Sequence, residues 1–152
     1  MRTGKEEVRH RTNQLRAACR RAGMRLTPQR MEIFRAVAET SDHPDAETVW
    51  RSVRKRLPTV SLDTVYRTLW LLRDLDLVTA LGPPWGRARF DANMRQHHHF
   101  FCTRCGATRD FYSRKFDDLK APPEVEAIGN IEATHVELRG LCRRCSGDKQ
   151  GG

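Results

Sequence analysis

In the first half of the chain, apolar positions recur every three or four residues. They do so in four runs, each with its own start and stop signals. In "EEVRHRTNQLRAACRRAG", Val8, Leu15, Ala18, Cys19 and Ala22 fall on one helical face, and Gly23 is a natural stop. Cys19 sits in that stripe and reads as a buried core thiol. "LTPQRMEIFRAVAET" starts a second helix, with Thr27 as N-cap, Pro28 at the first helical position and Met31, Phe34, Val37 and Ala38 facing inward. "PDAETVWRSVRKRLP" predicts a third, capped by Asp45, with Val49, Trp50, Val53 and Leu57 inward and Pro58 beyond its end. "SLDTVYRTLWLLRDLDLV" predicts a fourth, capped by Ser61, with Val65, Leu69 and Leu72 inside.

The period then changes. "LVTALGPPWGRARFD" reads as two short strands around a turn-rich tip, Gly82 to Gly86. Helices followed by a β-hairpin form the pattern of a winged helix-turn-helix, with the hairpin as wing. From Phe90 the pattern is α+β. "HHHFFC" and "ATRDFY" predict strands flanking a turn, and "PEVEAI" a short helix. "IEATHVELRGLC" alternates like a strand, with a phase slip near Thr134. The expected division is a winged-helix domain at 1–88 and a small α/β domain at 89–152. The second is too small to rest on an apolar core alone and needs a metal or a partner subunit.

Charge adds a partner to this picture. The formal net charge is +9. Residues 1–88 hold 17 Lys and Arg against 10 Asp and Glu, a net of +7, and the rest of the chain carries +2. A basic excess on the helical half favours a polyanion, of which nucleic acid is the commonest. No apolar run approaches a membrane span, and the N-terminus "MRTGKEEVRHR" has no apolar segment of a secretory signal, which points to the cytoplasm.

The candidate chemistry is concentrated in "QHHHFFCTRCGATRDF" and the far cysteine pair. Cys102/Cys105 and Cys142/Cys145 each have two residues between their sulfurs, the spacing of a knuckle that presents two thiolates to one tetrahedral ion. Two knuckles make a four-cysteine structural zinc site. A redox role would require one pair opening a helix in a βαβ unit, and neither does. In a strand, His97 and His99 share one face while His98 shares the other with Cys102. His97 and His99 can therefore hold one ion, and Asp91 and Asp110 are within reach of a small sheet. A sulfur-free His/carboxylate set suits Fe(II), Mn(II) or Zn(II). An exposed polar strand is the alternative.

Taken together, "RLTPQR", "HPDAETVW", "VSLDTVYRTL", "RFD", "HHHFFCTRCG" and "LRGLC" ending in "CRRC" resemble the ferric uptake regulator family over roughly Leu15 to Cys145. The resemblance implies a homodimeric, metal-controlled repressor. It would have an N-terminal winged helix, a C-terminal dimerisation domain and no enzymatic activity. It implies structural zinc on Cys102, Cys105, Cys142 and Cys145. It also implies a regulatory Fe(II) or Mn(II) on His43, Asp91, His97, His99 and Asp110, tying one domain to the other. Asp91 stands where the peroxide-sensing branch commonly has Asp and the iron-uptake branch Glu, which favours peroxide sensing. His43 and His97 then match the ligands that become oxidised. Iron or manganese uptake regulation without peroxide sensing is the alternative within the family, and a His/Asp metalloenzyme the alternative outside it. A further family site falls on Gln96, His98 and Asp117, with Thr134 where a histidine is usual, so no third metal is expected.

The fourth helix is the expected reader of a double-stranded DNA operator. Asp63, Thr64, Arg67 and Thr68 are placed on its outer face, and Tyr66 resembles the family's base-contacting tyrosine. Arg25 and Arg30, flanking the second helix start, and Arg87 and Arg89, on the wing, are expected at phosphates or in the minor groove.

Overall fold

The computed structural model describes residues 2–82 and 87–147. Positions 83–86 of the expected hairpin tip lie outside the described residues. The chain divides into two compact units, Met1–Met94 and Arg95–Gly152. The division falls beyond residue 88 because the strand at Arg89–Asp91 pairs back into the first unit.

That unit contains α1 (Lys5–Arg21), α2 (Pro28–Ala38), α3 (Ala46–Val53) and α4 (Leu62–Asp74). Three of the helices start where the capping residues place them. Thr27 accepts from the Arg30 amide, Asp45 from Thr48 and Ser61 from Thr64, each filling one donor left open at a helix N-terminus. Asp45 lies below the usual carboxylate range. Burial raises it, but the Thr48 hydrogen bonds and the nearby Arg87 and Arg89 outweigh that effect. Helix α1 closes at Gly23, whose φ of 63° is left-handed, with the Met24 amide returning to the Cys19 carbonyl at 2.8 Å. Asp76 also adopts a left-handed φ, 55°, after α4.

The core of this unit is apolar. Leu15, Ile33, Phe34, Val37, Val49, Val65, Leu69 and Leu72 are almost fully buried, and Cys19 is among them. Burying each of the larger ones contributes roughly 1.5–3 kcal/mol relative to exposure. The expected stripe differs in detail. Ile33 is buried, whereas Val8 is only half-buried and Ala22 is exposed. Helix α3 ends at Val53, so Leu57 packs from the turn that follows. Strands β1 (Thr79–Leu81) and β2 (Arg89–Asp91) form the antiparallel wing. The edge of Trp70 on α4 meets Phe90 on β2 at 5.7 Å.

The second unit is a three-stranded sheet in the order β4-β3-β5. Strand β3 (His98–Cys102) pairs antiparallel with β4 (Thr108–Phe111) and parallel with β5 (Glu137–Gly140). Short helices α5 (Arg114–Asp117), α6 (Pro123–Glu126) and α7 (Arg143–Ser146) complete it. The strand expected from Ile131 begins only at Glu137. Before it, the Thr134 carbonyl accepts from the Gln96 side chain and the Val136 amide donates to the His98 ring. Side chains thus occupy the groups a strand ladder would use. No helix among the described residues is long and apolar enough to cross a membrane.

Candidate metal centres and nucleic-acid face

The cysteine pairs meet because the second knuckle follows directly on β5, which lies beside the end of β3. Cys102 pairs with Gly140 across β3 and β5, and the Thr103 amide donates to the Gly140 carbonyl. One sulfur from each of Cys102, Cys105, Cys142 and Cys145 lies within 4.8 Å of the others. Tetrahedral zinc with Zn–S bonds of about 2.3 Å sets a sulfur–sulfur edge of about 3.8 Å. The Cys105 and Cys142 sulfurs stand 3.8 Å apart. Gly106, with φ of 70°, makes the turn of the first knuckle.

The electrostatics of this cluster call for a cation. Backbone amides at Cys105 and Cys142 point at the Cys102 sulfur and lower it to about 6. The amide of Ala107 lowers Cys105. Cys145 is pushed up to about 12, first by its hydrogen bond with Cys142. One thiol thus ionises readily while another, crowded by its neighbours, resists. A bound cation lets all four carry charge at once. The Arg144 guanidinium, hydrogen-bonded to Cys105, adds positive charge beside the cluster.

In the second unit, His97 and His99 project from the same face. Their Nε2 atoms lie 3.0 Å apart, and Asp110 Oδ1 stands 3.6 Å from the first and 3.5 Å from the second. Strand pairing supplies the carboxylate, since Asp110 is the cross-strand partner of His99. Metal bonds of about 2.1 Å set edges of roughly 3 Å between neighbouring donors, so this triangle fits one face of a coordination shell. His97 Nδ1 is 2.6 Å from the Arg95 carbonyl, to which it donates. Its Nε2 is then the nitrogen without the proton, the tautomer a metal needs.

In the first unit, His43 is buried and holds a left-handed φ of 49°, a conformation that costs a non-glycine residue on the order of 1 kcal/mol or more. The Phe90 amide donates to the Pro44 carbonyl at 3.0 Å and ties this loop to β2. His43 Nδ1 thereby comes to lie 3.7 Å from Asp91 Oδ2. The other Asp91 oxygen accepts from the Asn93 amide at 2.7 Å, which fixes the carboxylate. The five expected His/Asp residues thus fall as a pair in the first unit and a trio in the second.

The opposite face of β3 is closed by hydrogen bonds. His98 is fully buried, its Nδ1 accepts from the Val136 amide at 3.3 Å, and its Nε2 donates to Asp117 at 3.1 Å. Phe111 and Phe116 pack against its ring. His135 donates to the His97 carbonyl and Gln96 to that of Thr134. Both His98 nitrogens have hydrogen-bond partners within the second unit. The aromatic box around His98 was not foreseen, because Phe116 lies on α5, a helix the pattern did not reveal.

On α4, Asp63, Tyr66 and Arg67 are exposed. Thr68, expected beside them, is buried instead, because it falls between Val65 and Leu72 on the core side. Thr64 is half-buried, and its hydroxyl is 2.9 Å from the Ser61 hydroxyl, within the helix cap. Arg25 is exposed, and Arg30 donates to the Arg25 carbonyl. Arg87 is exposed beside Asp45 and Glu47, at 3.9 and 3.7 Å.

The profile of the ferric uptake regulator family matches residues 21–139. The chain is 30% identical over 142 residues to a peroxide-responsive repressor of Staphylococcus epidermidis, covering 92% of this chain and 93% of that one. A zinc-bound manganese uptake regulator superposes with a TM-score of 0.65 at 28% identity, over 85% of this chain and 98% of that one. The ferric uptake regulator of Helicobacter pylori superposes with a TM-score of 0.72 at 18% identity, over 99% of both chains, and shares the fold.

Proposed function

Since the chain belongs to the ferric uptake regulator family, we propose that it is a peroxide-sensing repressor, with structural zinc on four cysteines and Fe(II) or Mn(II) on a His/Asp site. A member of this family is a metal-dependent transcription regulator and not an enzyme, so the metalloenzyme alternative is set aside. The observation that carries the reading is the convergence of His97, His99 and Asp110 on one point, with His97 held in the ligand tautomer.

Cys102, Cys105, Cys142 and Cys145 would hold zinc and close the second unit. His43 and Asp91 would join His97, His99 and Asp110 on the regulatory ion. An ion held by both units would set the angle between them, and with it the spacing of the two α4 helices in a homodimer on operator DNA. Metal can favour the DNA-binding form only as far as it binds that form better. Thr64, Tyr66 and Arg67 would face the major groove, and Arg25, Arg30 and Arg87 the phosphates. The second copy would cover the exposed apolar side chains of the second unit, Ile128, Leu138 and Leu141 among them. A reducing cytoplasm keeps the thiols available to zinc.

Two observations support peroxide sensing: Asp91 at the branch-specific position, and the likeness to peroxide-responsive repressors over nearly the whole chain. Bound Fe(II) supplies the redox chemistry. Peroxide would transfer one oxygen atom to the ring of His43 or His97 and leave as water. The likeness to a manganese uptake regulator favours a second reading, metal-dependent repression without peroxide sensing. Operator binding by the zinc-loaded dimer separates the two. With Fe(II), dilute peroxide should abolish binding and add one oxygen to the peptide of His43 or His97, while the Mn(II) form stays bound. Retained metal-dependent binding with no response to peroxide would establish the second reading.

A further inference from the structure

The outer face of α4 carries two side-chain pairs, each spanning one helical turn. Leu62 and Tyr66 are exposed apolar residues four apart. Beside them, Arg67 Nε forms an ion pair with Asp63 Oδ2 at 3.0 Å, with the two side chains 81% and 69% exposed. Resting on the reading of α4 as the DNA-reading helix, we propose that Asp63 is a positioning residue that sets sequence specificity. It holds the Arg67 guanidinium end-on to the base edges, where Arg67 selects guanine.

The argument starts from the donor geometry of arginine. A guanidinium has five N–H donors in a rigid fork. With the Nε edge turned to the Asp63 carboxylate, the Nη1 and Nη2 end faces outward, and its two parallel donors match guanine O6 and N7. An unheld arginine would turn as readily to phosphate oxygens, which carry no sequence information. Asp63 also places a negative charge in the first turn of α4, where bare helix amides and the helix dipole would otherwise attract phosphate. Both effects turn this end of the helix away from backbone and toward bases.

In the free protein such an exposed ion pair is worth little. Its influence grows where DNA covers it and excludes water. Arg87 offers a contrast, since its nearest acids stand at 3.9 and 3.7 Å and leave it free to follow phosphate. A plainer role exists for Asp63, because any acid in a first turn favours the helix. That role changes helix stability and leaves base choice untouched.

The test selects binding sites from randomised duplex DNA with the zinc-containing dimer loaded with Mn(II). It then titrates the recovered site, single base-pair changes of it and an unrelated duplex. Asp63→Ala should bind the unrelated duplex more tightly than the wild type does. It should also lose about tenfold or more of the discrimination at one G·C pair, the size of a lost bidentate contact. Arg67→Ala should lose discrimination at the same pair, and in that background Asp63→Ala should change discrimination no further. Thermal midpoints of all variants are read in parallel. Unchanged discrimination in Asp63→Ala overturns the proposal, as does an equal loss with Arg67 already removed. A wild-type dimer that selects no sequence overturns the reading of α4 itself. A selective wild type with an equally selective Asp63→Ala overturns only the role of Asp63.

Discussion

The two units are held together by different means. Among the described residues, every fully buried apolar side chain except Cys102 belongs to the first unit. The buried side chains of the second are Cys102, His97, His98, His99 and Thr108. Many of its larger apolar residues, Tyr112, Leu119, Val125, Ile128, Ile131, Leu138 and Leu141 among them, are exposed, and its phenylalanines are only half-buried. The first unit thus follows the ordinary logic of burial, in which apolar area removed from water opposes chain entropy. The second has donor atoms where a core would be. Metal-ligand free energy would then act as its folding free energy, and under the proposed function a second copy would cover its apolar surface. Under the proposed function this would separate duties: one unit would be stable enough to present a DNA-reading helix, and the other would be poised to respond to metal.

The contrast breaks first at the cysteines. Cys142→Ser should lose zinc, which in small metal-folded domains supplies on the order of 10 kcal/mol. The second unit should unfold and the dimer dissociate, while α1 to α4 remain folded by limited proteolysis. A stable zinc-free dimer would remove the structural claim. Phe34→Ala probes the other half. It should cost about 3–5 kcal/mol of first-unit stability in a denaturant titration and leave the zinc content unchanged.

His97→Ala sharpens the difference between a staple and a switch. Zinc, helix content and dimer should all survive, by metal analysis, circular dichroism and gel filtration. Stimulation of DNA binding by Mn(II) should fall by roughly 5–150-fold, the usual range of coupling between two sites. Unfolding on this substitution would show that the ion holds the fold instead. The smallest effect belongs to Arg87→Ala. It should weaken binding to all sequences evenly and reduce the salt dependence by about one counterion per protomer. A loss confined to one sequence would place Arg87 on a base edge.

The first unit was largely legible in the sequence because its signals are local. Thr27, Asp45 and Ser61 mark helix starts with side chains that act three residues away, and the apolar period marks the core face. Thr68 shows the limit, since a helical face is some 100° wide and its edge residues fall either way. The second unit was legible in its chemistry and not in its path. Spacing alone joined the sulfurs and placed His97 and His99 on one face. The parallel pairing of β5 with β3 joins residues nearly forty positions apart, and no local pattern encodes it. The late start of β5 escaped for the same reason, since Gln96 and His98 intercept its backbone groups from distant sequence. The proposal that His43 shares an ion with His97 rests on family resemblance.

Amide hydrogen exchange on the wild-type dimer, before and after zinc is removed by a chelator, tests the division of labour most directly. Zinc removal should abolish protection along β3, β4 and β5 and leave protection along α1, α2 and α4 unchanged. Protection retained in the second unit without zinc, or lost from both units together, would contradict the account.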